Sequence, residues 1–142
     1  MELAGRYRIA ADRETVWKAL NDPAVLSKAI PGCKEFSEED GGYSATVRAK
    51  LGPVAATFKG AVQLENLNPP ESYTLRGEGK GGVAGFGKGS ADVHLAEEAP
   101  TSTILSYTAD AQIGGKLAQI GSRLIKGSVK KMAGEFFTNF AD

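Results

Sequence analysis

The 142 residues are 42% hydrophobic and carry seventeen basic against seventeen acidic side chains. That is the size and apolar content of one domain, residues 1–142, without the global charge that draws proteins to nucleic acid. A single cysteine, Cys33, excludes an internal disulfide, and a single histidine, His94, leaves no Cys/His cluster for a metal.

Residues 2–10 place Leu3, Gly5, Tyr7 and Ile9 on one side and Arg6 and Arg8 on the other, the period of a half-buried strand. Asp12 reads as a helix N-cap, with Glu14 in the first turn and Val16, Trp17 and Leu20 on one face. Asp22-Pro23 forms a second cap with proline at the first helical position, and this helix runs to about Ile30, where Pro31-Gly32 stops it. Six strands are predicted next: Cys33 to Ser37, Tyr43 to Leu51, Val54 to Leu67, Ser72 to Gly79, Val83 to Ala96 and Thr101 to Ile113. Turn signals separate them, among them Asp40-Gly41-Gly42, Gly52-Pro53 and Asn68-Pro69-Pro70.

Alternation puts Tyr43, Ala45, Val47, Phe58, Gly60, Val62, Tyr73, Leu75 and their equivalents in later strands on a common inner face rich in Ala and Gly. Small side chains on a concave sheet leave volume unfilled. Two arrangements remain open at this point: a cavity, or a core filled by Trp17, Phe58, Phe86 and apolar side chains of the last segment.

That last segment, Gly114 to Phe140, reads as one long amphipathic helix closing the sheet. Leu117, Ile120, Gly121, Leu124 and Ser128 share an arc continued by Ile125, Val129, Met132 and Phe136, while Lys116, Arg123, Lys126 and Lys130 collect opposite. Gly121, Gly127 and Gly134 interrupt it at a cost of up to ~1 kcal/mol each relative to alanine, which suggests close packing, room for a ligand or freedom to shift.

Motifs for chemistry are weak. Gly77 to Gly82 formally spells a dinucleotide fingerprint and Gly82 to Lys88 approaches a P-loop, yet the glycines that follow prevent a helix from starting there. A bend, a bulge or a close ligand approach fits that run better, with Phe86 as a flap over a cavity mouth. His94 falls on the outer face between Val93 and Leu95, with no nucleophile or acid readable around it. No catalytic residue and no metal ligand is assigned.

The order strand, two short helices, six strands, long C-terminal helix is that of the α+β helix-grip fold, a seven-stranded curved antiparallel sheet wrapped around the helix. Local strings narrow it further: Leu20-Asn21-Asp22-Pro23, Ile30-Pro31-Gly32-Cys33, Gly52-Pro53-Val54, Asn68-Pro69-Pro70-Glu71-Ser72-Tyr73, Gly89-Ser90-Ala91-Asp92-Val93 and Gly114-Gly115-Lys116-Leu117-Ala118-Gln119-Ile120-Gly121. With these the chain closely resembles the carbon monoxide dehydrogenase G-subunit family, within the superfamily of steroidogenic-acute-regulatory-type (START) domains and polyketide cyclases. The resemblance implies a non-catalytic accessory protein of a molybdenum hydroxylase, recruiting the enzyme to the membrane or binding a quinone or lipid in a hydrophobic cavity. It implies no covalent cofactor, the hydroxylase subunits and a hydrophobic small molecule as partners, and no nucleic acid. Some members carry a further C-terminal hydrophobic tail, which is not seen up to Asp142.

The expected cavity wall is Val47, Phe58, Val62, Tyr73, Phe86 and Tyr107 on the sheet with Leu117, Ile120 and Leu124 on the helix. The expected partner or membrane surface is Lys116, Arg123, Lys126 and Lys130, where each base near an anionic surface contributes ~1 kcal/mol. A ligand-free adaptor working through that basic surface is the alternative, and a cyclase or hydrolase would need polar groups beyond Tyr43, Tyr73, Tyr107 and Thr103. The N-terminus lacks a secretion signal and no run approaches the ~18 apolar residues of a membrane span, so a cytoplasmic chain is expected, peripheral on the cytoplasmic membrane if it binds there.

Overall fold

A computed structural model describes Met1–Ala141. Strand β1 (Glu2–Ile9) is followed by helices α1 (Arg13–Leu20) and α2 (Pro23–Ala29), then β2 (Cys33–Glu39), β3 (Gly42–Leu51), β4 (Val54–Asn68), β5 (Ser72–Lys80), β6 (Phe86–Ala99) and β7 (Ser102–Gly114). Both predicted caps form. Asp12 accepts from the Thr15 backbone N–H and hydroxyl, and Asp22 accepts from the Ala24 N–H at 3.0 Å, with Pro23 at the first helical position.

All seven strands form one antiparallel sheet in the order β1-β7-β6-β5-β4-β3-β2. Successive strands from β2 to β7 are therefore hairpin neighbours, and only β1 pairs with a strand remote in sequence. The register keeps the inner positions in line across the sheet. Ala45 lies opposite Gly60, Gly60 opposite Gly79, Gly79 opposite Gly87 and Gly87 opposite Ile113. This row is nearly bare of side chains, whereas the row Leu64, Leu75, Ala91, Ala109, Leu3 is better filled.

The solid core sits at one end of the sheet. Ile9, Val16, Leu20, Ala29, Tyr73, Val93, Leu95, Leu105 and Phe140 pack there, with Trp17 edge-on to Tyr73 at 5.3 Å between ring centroids. Thr103 is fully buried, and its hydroxyl donates to the Ala11 carbonyl at 2.8 Å, so it serves the core and not a site.

Two predicted elements change. The segment Gly114 to Phe140 is not one helix: Gly114 ends β7, a short helix α3 spans Lys116–Ile120, and α4 spans Ser122–Phe140. The break is at Gly121, whose φ of 96° and ψ of 144° lie outside the range that other residues adopt readily. The strand expected from Val83 begins only at Phe86, because Gly82–Ala84 form a single 3-10 turn between Gly82 and Gly85, both at positive φ.

Candidate functional site

A cavity of about 480 Å³ lies between strands β2–β7 and the helices, with Ala45 and Gly60 of the bare row and Leu64, Leu75 and Ala91 of the other in its floor, and its volume is within the usual range for small-molecule sites. Its sheet wall includes Tyr43, Ala45, Val47, Phe58, Gly60 and Val62, and the hairpin registers Ala45–Gly60 and Val47–Phe58 set small residues beside large ones. The opposite wall comes from helices: Leu20, Leu26 and Ile30 around α1 and α2, and Phe136 and Phe137 near the end of α4.

The α4 aromatics are fixed in place. Phe137 stacks on Tyr7 at 4.2 Å and meets Phe136 edge-on at 4.9 Å, and the Asn139 side chain donates to the Ala29 carbonyl at 3.1 Å, tying α4 to the end of α2. At the other end of α4, the Gly52 N–H donates to the Ser128 hydroxyl at 2.8 Å, so the β3–β4 turn hangs on the helix. The helix is thus pinned at both ends over a wall that it does not fill.

The polar groups of the lining are few: the phenols of Tyr43, Tyr73 and Tyr107, the Ser44 hydroxyl and Glu78. Tyr43 donates its hydroxyl to the Asn21 carbonyl at 3.3 Å. Burial pushes the Tyr73 phenol well above its ordinary range, with a further push from Tyr43, and burial likewise raises Tyr43 and Tyr107. These phenols stay protonated, and with the Tyr43 proton already given to Asn21, those of Tyr73 and Tyr107 can donate to a guest without bringing charge. The lining's one acid, Glu78, has an exposed side chain. Such a wall suits an uncharged, largely apolar molecule with a hydrogen-bond acceptor, and it offers no acid–base pair or nucleophile.

Of the nine expected wall residues, Val47, Phe58, Val62, Tyr73 and Tyr107 line this cavity. The other four do not. Phe86 is 47% exposed and its ring covers Gly114, so it is not a flap over the mouth. Leu117 is buried beneath α3 and away from the cavity. Ile120 and Leu124 lie over Gly52, where an added Cβ would meet the Ile120 Cγ2 at 3.1 Å and the Leu124 Cβ at 3.8 Å. Their displacement follows from the break at Gly121, which resets the phase of the helix, so Leu124 is 55% exposed while Ile125 is buried.

Leu26, Ile30, Phe36, Phe136 and Phe137 are the wall residues that sequence reasoning missed. Leu26 and Ile30 stand four apart, and Phe136-Phe137 is the only adjacent aromatic pair in the chain, signals that could have placed them inside. The four bases Lys116, Arg123, Lys126 and Lys130 are all exposed, as is His94 on the outer sheet face. Cys33 is partly buried, its thiol donating to the Glu35 carbonyl, and burial pushes that thiol up, away from reactivity. Among the described residues no helix is long and apolar enough to cross a membrane, and no three His, Cys, Asp or Glu side chains are grouped to hold a metal.

Known structures share this architecture. A conserved protein from Geobacillus kaustophilus matches with a TM-score of 0.93 at 30% identity, covering 99% of this chain and 93% of its own. The ZhuI aromatase/cyclase from Streptomyces sp. R1128 matches at a TM-score of 0.71 and 14% identity over 99% of this chain and 91% of its own. A START superfamily protein from Mycobacterium smegmatis gives 0.72 and 12% over 99% and 94%. The last two, at such identities, speak for the helix-grip fold alone. No curated protein matches the sequence. The family model for the G subunit of carbon monoxide dehydrogenase (CoxG) matches residues 5–142. With nearly the whole chain matched, and the fold it shares with START and cyclase proteins in place, the protein belongs to the carbon monoxide dehydrogenase G-subunit (CoxG) family.

Proposed function

We propose that this protein is a carrier that holds a hydrophobic molecule, a quinone or an isoprenoid lipid, between sheet and helices. In this role it serves a molybdenum hydroxylase of the carbon monoxide dehydrogenase type and links that enzyme to the membrane. The observation that carries the reading is the cavity: about 480 Å³ lined mainly by aliphatic and aromatic side chains, with the protonated phenols of Tyr73 and Tyr107 to orient a guest. Removing apolar ligand surface from water at ~25 cal/mol per Å² supplies micromolar affinity from a few hundred Å² of contact. The family supports the accessory role, since its name is that of a dehydrogenase component. A catalytic role fits less well, because Tyr43 is already bonded to Asn21 and Thr103 to Ala11, which removes two of the four polar groups that a cyclase could have used.

Native mass spectrometry with lipid extraction, on protein purified gently from a quinone-containing host, tests the proposal. A quinone or isoprenoid lipid at near-stoichiometric level is the expected result. A clean apo mass that also refuses added quinone would overturn it.

A further inference from the structure

One end of the molecule is built as a single surface. The β3–β4 turn at Gly52-Pro53, the β5–β6 loop from Gly81 to Gly85, α3 and the start of α4 all meet there. Ile120 and Leu124 cover Gly52, and Gly85 packs so closely on Gly114 and Gly115 that an added Cβ on Gly115 would stand 2.7 Å from the Gly85 Cα. Three of the four large exposed hydrophobic side chains among the described residues belong to this end: Val83 at 88%, Leu124 at 55% and Phe86 at 47% exposure.

The charge is sorted along the same axis. No acid occurs in residues 41–64, 79–91 or 111–134, which supply the turns and helices of this end, and the acids nearest to it are Glu2, Glu78 and Asp110 on β1, β5 and β7. The acid-free stretches carry Lys50, Lys80, Lys88, Lys116, Arg123 and Lys126, among other bases. The opposite hairpin ends hold Glu38, Glu39 and Asp40 at the β2–β3 turn, Glu71 before β5, and Glu97 and Glu98 before β7. A chain of zero formal charge is therefore polarised from end to end. Among the described residues, none of those six bases makes an ion pair, whereas Arg8 is held by Glu98 at 2.7 Å and Arg76 by Glu65 at 3.1 Å.

We propose that this end docks on an anionic lipid bilayer, with Val83, Phe86 and Leu124 in the interfacial layer and the surrounding bases on lipid headgroups. The shape favours a bilayer over an acidic protein. Val83 projects from a single turn between glycines with positive φ, leaving no flat patch to bury against a folded partner, while a fluid interface closes around a lone side chain. The polarity orients the approach, since the acidic end is repelled from the surface that attracts the basic one. The carrier reading above gives the docking its purpose: Phe58 lines the cavity, and its ring lies on Gly81 in the docking loop, so the bilayer is brought against that side of the site.

Flotation with vesicles of phosphatidylcholine alone and of phosphatidylcholine with phosphatidylglycerol tests this, together with the emission of Val83→Trp. Binding only to the anionic vesicles, weakened by salt, and a blue shift of the new indole are expected. Val83→Asp/Phe86→Asp and Lys116→Glu/Arg123→Glu should each lower partition at least about tenfold, at ~1 kcal/mol per base for the charge pair, while Glu38→Lys/Glu39→Lys should not lower it. Absence of binding, an unshifted Val83→Trp spectrum, or full binding by the reversed variants would overturn the proposal. So would capture of the purified hydroxylase by this end without any vesicle binding. The carrier reading is tested apart from it: Val83→Asp/Phe86→Asp should still take up a short-chain quinone from solution. Wild-type protein that binds anionic vesicles yet refuses that quinone sinks the carrier and leaves the docking surface standing.

Discussion

Replacing Ala45 with tryptophan is the most direct test of the cavity. Ala45 faces it opposite Gly60, in the barest row of the sheet, so an indole there enters empty space. An aromatic side chain buries roughly 150–250 Å², which at ~25 cal/mol per Å² amounts to ~4–6 kcal/mol of apolar contact as an upper estimate. Overpacking a filled core costs ~1–3 kcal/mol, so the transfer gain wins and Ala45→Trp should keep or raise the melting temperature. A ligand barred from the same lining loses that ~4–6 kcal/mol, about a thousandfold or more in Kd. Isothermal titration with a short-chain quinone, beside thermal melts, reads both quantities. Ile120→Trp is the matched control: that side chain lies over Gly52, outside the lining, and should leave affinity unchanged. A folded Ala45→Trp protein that binds as tightly as wild type would refute the reasoning, and lost binding in Ile120→Trp alone would move the site toward α3.

The glycines after β7 should respond to alanine with opposite signs. Gly121→Ala forces a side chain into its strained backbone and should cost ~1–3 kcal/mol, whereas Gly127→Ala and Gly134→Ala, helical and with open space around the added methyl, should each stabilise by ~0.5–1 kcal/mol in denaturant melts. A stabilising Gly121→Ala with increased helical circular dichroism would show that the break is optional. Two further signs concern pH. Glu98 is held below its ordinary value of 4.5 by hydrogen bonds from Arg8 and Ser102, so its contribution is complete above that pH and is lost as pH falls through the lowered folded value; Glu98→Gln should flatten the acid limb of a Tm-versus-pH curve. Tyr73 is shifted upward, so its contribution is complete below its ordinary value of 10 and is lost as pH rises; Tyr73→Phe should flatten the alkaline limb.

The strands were legible because alternation and turn residues act locally: Asp40-Gly41-Gly42 and Gly52-Pro53 fix two hairpins, and each hairpin fixes its register, so the inner face followed as a set. The helix phase was not legible in the same way. Counting turns from Leu117 through Ser128 assumes a continuous helix, and Gly121 removes that assumption, which is why Leu117, Ile120 and Leu124 fell out of the wall together. Both glycines flanking α3, Gly115 and Gly121, take positive φ, and a five-residue segment between two glycines is the trace this leaves in the sequence. The helical side of the cavity depends on where α2 and the end of α4 lie against the sheet, a long-range outcome set by contacts such as Asn139 with Ala29 that no local pattern encodes.

The pairing of β1 with β7 has a consequence for how the protein is made. Every other strand finds its neighbour next in sequence, but Glu2 must wait for Asp110 and Ile9 for Thr103, and the terminal ammonium of Met1 donates to the carbonyl of Ala111 at 2.9 Å. At a synthesis rate of about 5–20 residues per second, the first strand leaves the ribosome roughly 5–20 s before its partner exists. Throughout that interval an alternating apolar strand is unpaired, as is the opposite margin of the growing sheet. Chaperone capture of nascent chains should therefore peak before residue 114 emerges and fall once β7 is out, with the sheet growing hairpin by hairpin and β1 joining last.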